Sequence, residues 1–138
     1  MLAHSTTGRI VSLGRVPLGD QVVYPNIYAD GAGRPLHGAS KYILHFGAGH
    51  EPAALRWTLS LHASATGGEV SRLEDRLCRC ADGSLTILIQ RERPGEADCN
   101  WLATPEGCFT MSMRFYGPHH SLLDGSWRTP APVRVEWT

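Results

Sequence analysis

The chain is short of nearly everything that marks a common function class at the level of sequence. Its 13 Lys and Arg are balanced by 13 Asp and Glu in 138 residues. Binding to a phosphate backbone draws on a basic excess, so nucleic acid is not an expected partner. No apolar run approaches the length of a membrane-spanning helix, and no membrane association is expected. The opening Met1-Leu2-Ala3-His4-Ser5-Thr6-Thr7-Gly8 lacks the apolar stretch of a signal peptide. A cytoplasmic location with reduced thiols follows as the expectation. Cysteine is sparse: Cys78, Cys80, Cys99 and Cys108. Cys78-Arg79-Cys80 would put two thiols on one side of a strand, but the second closely spaced pair of a zinc site is missing. Phosphate-binding loops, dinucleotide fingerprints and nucleophile elbows are also missing. Gly47-Ala48-Gly49 follows a strand without the third glycine or the βαβ context of a nucleotide site. Neither a metal nor an organic cofactor is expected. Internal repeats, low-complexity linkers and long stretches of helical periodicity are lacking too, so nothing marks a second domain.

What the chain does have is punctuation and alternation. Fifteen glycines and nine prolines break it at short intervals, the pattern of many short strands joined by turns. Lys41–Phe46, Arg56–His62, Ser84–Gln90 and Phe109–Tyr116 read as strands. In the second, Trp57, Leu59 and Leu61 face one way and Arg56, Thr58, Ser60 and His62 the other. In the last, Phe109, Met111, Met113 and Phe115 form the inward row. Successive side chains on a strand point to opposite faces, so a half-buried sheet needs an apolar residue at every second position. Each large apolar side chain buried is worth roughly 1.5–3 kcal/mol. A one-residue slip would expose the whole inward row, which pins the register. Weaker strands are predicted at Arg9–Arg15, Gln21–Tyr28 and Val133–Trp137. Glu51-Pro52-Ala53-Ala54-Leu55 has proline where a first helical turn tolerates it, and a turn of helix is expected there. Val70–Leu77 reads equally as a helix face or as a strand and turn. The predicted fold is all-β: an antiparallel two-sheet β-sandwich, jelly-roll-like, with one or two short helical turns. Residues 1–21 form an N-terminal extension expected to add a strand, and residues 22–138 the sandwich.

Several markers occur in one order: Tyr24-Pro25-Asn26-Ile27-Tyr28, Asp30-Gly31, Arg34-Pro35-Leu36-His37-Gly38, Tyr42-Ile43-Leu44-His45-Phe46, Trp57-Thr58-Leu59, Asp82-Gly83-Ser84-Leu85-Thr86-Ile87-Leu88-Ile89-Gln90, Asn100-Trp101-Leu102 with Pro105 and Gly107, Arg114-Phe115-Tyr116 and Leu123-Asp124-Gly125-Ser126-Trp127. Over about Val22 to Val133 the chain resembles the domain-of-unknown-function 1214 family, met as the C-terminal half of larger two-domain bacterial proteins. The resemblance implies an antiparallel β-sandwich with few helices and supplies no catalytic residues. It departs from the family in two ways. The N-terminal partner domain is expected to be missing, and the stretch from His62 to Asp82 is short, with Thr66-Gly67-Gly68 as a compact turn.

The candidate chemistry sits on the polar strand faces. If Arg56, Thr58, Ser60 and His62 adjoin Thr110, Ser112, Arg114 and Tyr116, they build a wall with one imidazole, two guanidiniums and one phenol. Arginine grips a carboxylate with two hydrogen bonds, and histidine titrates near neutrality. The same residues also fit a solvated sheet face with cross-strand pairs. The candidate acid/base residues are His45, His62, Arg114 and Tyr116. The candidate substrate-binding residues are Tyr24, Tyr28, Tyr42, Arg56, Asp98, Asn100 and Trp101. Tyrosine and tryptophan carry an apolar body and one polar handle, so these aromatics could line a pocket. In the competing account Asn100 and Asp124 make turn hydrogen bonds, and Trp101 and Trp127 plug the sandwich ends. His119-His120 reads as a surface loop.

Two functions fit. One is a small cofactor-free enzyme or ligand-shaping protein that isomerises, cyclises or hydrolyses a small, partly apolar organic molecule by acid/base chemistry, as in a biosynthetic pathway. The other is a non-catalytic binding or oligomerisation module, with a homodimer as its simplest form.

Overall fold

The computed structural model describes residues 2–4, 9–12, 22–73, 77–95, 100–124 and 126–136. It contains β1 (Leu2–His4), β2 (Arg9–Ser12), β3 (Val22–Ile27), β4 (Tyr42–Phe46), β5 (Ala54–Ala63), β6 (Glu69–Leu73), β7 (Leu85–Ile89), β8 (Asn100–Leu102), β9 (Phe109–Pro118), α1 (His120–Leu123) and β10 (Val133–Arg134). The strands form a six-stranded sheet ordered β1-β2-β3-β9-β5-β6 and a four-stranded sheet ordered β10-β4-β7-β8. Pairing is antiparallel throughout except between β7 and β8, which run parallel.

The fold is the expected β-sandwich, and its core follows from the alternation. Phe109, Met111, Met113 and Phe115 on β9 are buried, each at most 2% exposed, and Leu59 and Leu61 on the adjoining β5 are fully buried. From the small sheet come Tyr42, Leu44 and Phe46 of β4 with Leu85, Ile87 and Ile89 of β7. Aromatic contacts stitch the layers together. Phe46 meets Trp57 at 5.6 Å, and Tyr42 meets Phe109 edge-on at 5.9 Å. Trp127 closes one end, stacked on Phe46 and edge-on to Phe115. Its indole N–H donates to the His50 carbonyl, which satisfies the polar handle of a half-buried ring.

Three local expectations change in the structure. The helical turn at Glu51–Leu55 does not form, because Ala54 and Leu55 already belong to β5, whose pairing with β9 starts at Ala54 opposite Pro118. Tertiary pairing outweighs a one-turn signal worth only tenths of a kcal/mol per residue. Of the Val70–Leu77 segment, Val70 to Leu73 are strand, since β6 pairs with β5 from Glu69 to Leu73, and residues 74–76 lie outside the described residues. The short helix is instead α1, in the segment read as a loop. His119 caps it, with its Nδ1 accepting from the Ser121 N–H.

Pro25 leaves a visible mark. β3 pairs with β9 at Val22 and Val23 and again at Asn26 and Ile27, in one register. Between these pairs lies Pro25, which has no N–H to donate to the ladder.

Candidate functional site

The β5–β9 register decides where the polar groups go. Arg56 lies opposite Tyr116, Thr58 opposite Arg114, Ser60 opposite Ser112 and His62 opposite Thr110. The two polar faces therefore adjoin on the outer side of the six-stranded sheet. β3 extends the row: Asn26 pairs with Ser112, whose hydroxyl donates to the Asn26 side-chain Oδ1 at 2.7 Å. The same register puts Tyr24 at the position across from Arg114.

At one end of this face Arg56 holds its guanidinium carbon 4.5 Å from the centre of the Tyr116 ring, a cation–π distance. The Arg114 guanidinium, hydrogen-bonded to the phenol, holds the Tyr116 hydroxyl below the ordinary tyrosine range; burial opposes this, and Arg56 adds to it. A phenol beside two fixed cations is a better acid than free tyrosine and a ready partner for an anion.

At the other end lies His62. Its Nε2 is 3.0 Å from the Ser60 hydroxyl and its Nδ1 is 3.3 Å from the Gly67 carbonyl. Thr58 and Ser60 face outward yet are only 2% and 3% exposed. Each is a short side chain set between longer neighbours, Arg56 and His62 along the strand and Arg114 across from Thr58. Alternation alone forecast their direction but not their burial. Asn26 was not a sequence candidate, although its place two residues after Tyr24 on one strand was the available signal.

The remaining candidates are dispersed. The structure separates His45 from His62, Arg114 and Tyr116, so no single pocket holds all four. His45 is exposed on the outer face of the four-stranded sheet, where its Nδ1 meets the Thr86 hydroxyl at 2.9 Å. The sandwich core, about 10 Å thick, lies between the two outer faces. Tyr42 is in the core, its hydroxyl accepting the His37 N–H at 2.9 Å. Asn100 is buried and fully engaged: it accepts from the Cys78 N–H and donates to the Cys78 and Thr86 carbonyls. The Trp101 indole donates to the Gln90 carbonyl. Tyr28 is exposed just beyond β3. Asp98 lies outside the described residues. Asp124 makes the expected turn bonds, to the Ser126 N–H and hydroxyl. Among the described residues, no group of three or more His, Cys, Asp or Glu side chains converges as a metal site.

Fold and site together define a two-sheet β-sandwich domain with a cationic, phenol-bearing face on its larger sheet. Residues 21–120 match the family described as protein of unknown function (DUF1214), and the chain belongs to that family. A search of curated proteins finds no match. Among solved structures, the chain is similar to the VPA0106 protein from Vibrio parahaemolyticus, at 24% identity and a TM-score of 0.76, over 88% of this chain and 32% of that one. It is also similar to an uncharacterized protein from Burkholderia cenocepacia, at 13% identity and a TM-score of 0.55, over 90% of this chain and 31% of that one. The chain thus spans about a third of either structure's length, and the likeness concerns the fold.

Proposed function

We propose that the outer face of the six-stranded sheet binds a small, partly apolar organic carboxylate and acts on it by acid/base chemistry. The observation that carries this reading is the pairing of Arg56 with Tyr116 and of Thr58 with Arg114, which sets two guanidiniums around one phenol. The guanidiniums supply bidentate carboxylate recognition. Tyr116, made more acidic by Arg114 and Arg56, donates or accepts the proton at a carbonyl, and His62 serves as the second proton carrier. Isomerisation, cyclisation and hydrolysis all fall within this inventory, and a step in a bacterial biosynthetic pathway suits it. No helix among the described residues is long and apolar enough to cross a membrane; we place the protein in the cytoplasm, where its thiols stay reduced.

The test is calorimetric titration with a panel of aromatic and aliphatic carboxylates beside their neutral amides. The expected result is binding of carboxylates only, weakened at least about tenfold by Arg114→Gln and by Arg56→Gln. Equal affinity for acid and amide, or no effect of either substitution, overturns it.

A non-catalytic binding module is the second reading, and one observation favours it. Val133, Ile43, Leu88 and Trp101 lie in register across all four strands of the small sheet, alternating with its buried face. Val133 is 62% exposed and Ile43 36%. A concentration-dependent dimer in sedimentation, broken by Ile43→Lys, would favour this module. A monomer at every concentration would count against it.

A further inference from the structure

Ser60, His62 and Gly67 form a constellation that carboxylate binding does not require. The Gly67 carbonyl can only accept, so the His62 Nδ1 that faces it at 3.3 Å carries the proton. In the neutral ring Nε2 is then an acceptor, and the Ser60 hydroxyl donates to it at 3.0 Å. A nucleophile, a base within hydrogen-bond reach and a third group that orients the base is the general arrangement of nucleophilic catalysis.

The local backbone is shaped to produce it. The β5–β6 pairing shifts register between Leu61 and His62, and such irregularities re-aim a side chain relative to the regular pleat. The turn that follows brings Gly67 back over the strand end: the Gly67 N–H donates to the Ala63 carbonyl at 2.7 Å, with Gly67 at φ +74°. A side chain is strained at that φ, so the orienting carbonyl depends on glycine. Ser60 and Arg114 share the face. Ser60 lies two residues along β5 from Thr58, the partner of Arg114, which sets them about 7 Å apart along the strand.

We propose that Ser60 is a nucleophile activated by His62, and that this face hydrolyses esters whose acyl chain ends in a second carboxylate. The substrate class rests on the carboxylate reading given above; the nucleophile does not. The Ser60 oxygen bonds to the acyl carbon while its proton passes to His62 Nε2. The ester C–O bond then breaks, and the departing alkoxide takes that proton. Water adds to the acyl carbon, giving a proton to Nε2. The acid leaves as the Ser60–acyl bond breaks, and Ser60 recovers its proton from His62. Arg114 holds the distal carboxylate. Ser60 is 3% exposed, and across from it on β6 stands Arg72, ion-paired with Glu69 at 2.8 Å. Arg72 is an exposed side chain on the edge strand β6, and an entering ester displaces it.

The experiment treats the whole chain with diisopropyl fluorophosphate, locates any adduct by peptide mass spectrometry, and compares release of p-nitrophenol from p-nitrophenyl hydrogen glutarate and from the neutral p-nitrophenyl pentanoate. Expected are an adduct on Ser60, its loss in Ser60→Ala, and labelling slowed at least about 100-fold in His62→Gln. Circular dichroism would establish that each variant is folded. Arg114→Gln should abolish the preference for the glutarate ester. No adduct on Ser60, or an adduct formed equally well in His62→Gln, overturns the nucleophile even if calorimetry upholds carboxylate binding. An adduct on Ser60 with no preference between the esters upholds the nucleophile and overturns the carboxylate-bearing substrate.

Discussion

Replacing Asn100 with Ala should cost about 2–4 kcal/mol of stability and leave the outer face of the large sheet intact. Asn100 is 6% exposed and makes three hydrogen bonds: from the Cys78 N–H at 2.8 Å, to the Cys78 carbonyl at 2.8 Å and to the Thr86 carbonyl at 3.0 Å. Each is worth about 1 kcal/mol net, and a buried partner left alone costs about 1–3 kcal/mol more. Cys78 is exposed, so water can replace part of what it loses, which holds the total below the sum of the worst cases. The bonds clip the segment before β7 onto β8, so the loss should fall on global unfolding. Urea denaturation under reducing conditions measures it, and a drop in Tm of about 10 °C should accompany it. Asn100→Asp should be worse at neutral pH, because it sets a carboxylate against two carbonyl oxygens. Its folded pKa is then raised, so its penalty appears as pH climbs above about 4, the unfolded value, and grows up to the folded one. A loss under about 0.5 kcal/mol in Asn100→Ala would refute the structural assignment and return Asn100 to the list of ligand contacts.

Three further outcomes follow from the same packing. A Cβ at Gly38 would fall 1.7 Å from the Pro105 carbonyl oxygen, a backbone atom, so Gly38→Ala should destabilise by about 3 kcal/mol or more in thermal melts. The Asp30 carboxylate, 1% exposed, accepts from the Ala32 and Arg34 N–H groups and from the Arg34 guanidinium. Burial pushes its pKa up, but these bonds together hold it below the usual value. Asp30→Ala should therefore cost about 2–3 kcal/mol at pH 7. The wild type's advantage should be present above about pH 4 and fade as pH falls through the lowered folded value. Tyr116, lowered by Arg114 and then by Arg56, should lose its proton earlier than ordinary tyrosine when the ultraviolet phenolate titrations of wild type and Tyr116→Phe are subtracted. Arg114→Gln should shift that difference curve to higher pH. Because its folded value is below the unfolded one, the associated stabilisation is missing at neutral pH, develops as pH rises through the folded value, and is complete above about 10.

Much of the sandwich was legible from alternation. β5 and β9 each bury one apolar row, and a period of two can satisfy that only as a strand between a core and an outer face. The same rule gave the outward direction of Arg56, Thr58, Ser60, His62, Arg114 and Tyr116. Short-range signals did less well where strand pairing competed. Glu51–Leu55 carries a helix-start signature, but its last two residues are drawn into the ladder with β9. α1 is four residues long, too short for any periodicity to announce it.

The sequence by itself determined which residues could face inward together, because side-chain alternation is a local property of an extended backbone. Only the tertiary structure decided which outward residues meet. The β5–β9 register placed Arg56 against Tyr116 and the β5–β6 turn placed Gly67 against His62, while the packing of one sheet on the other put His45 on the far side of the core. These are contacts between segments distant in the chain or bent back on themselves, and their partners are chosen by registers and turns that no single strand encodes.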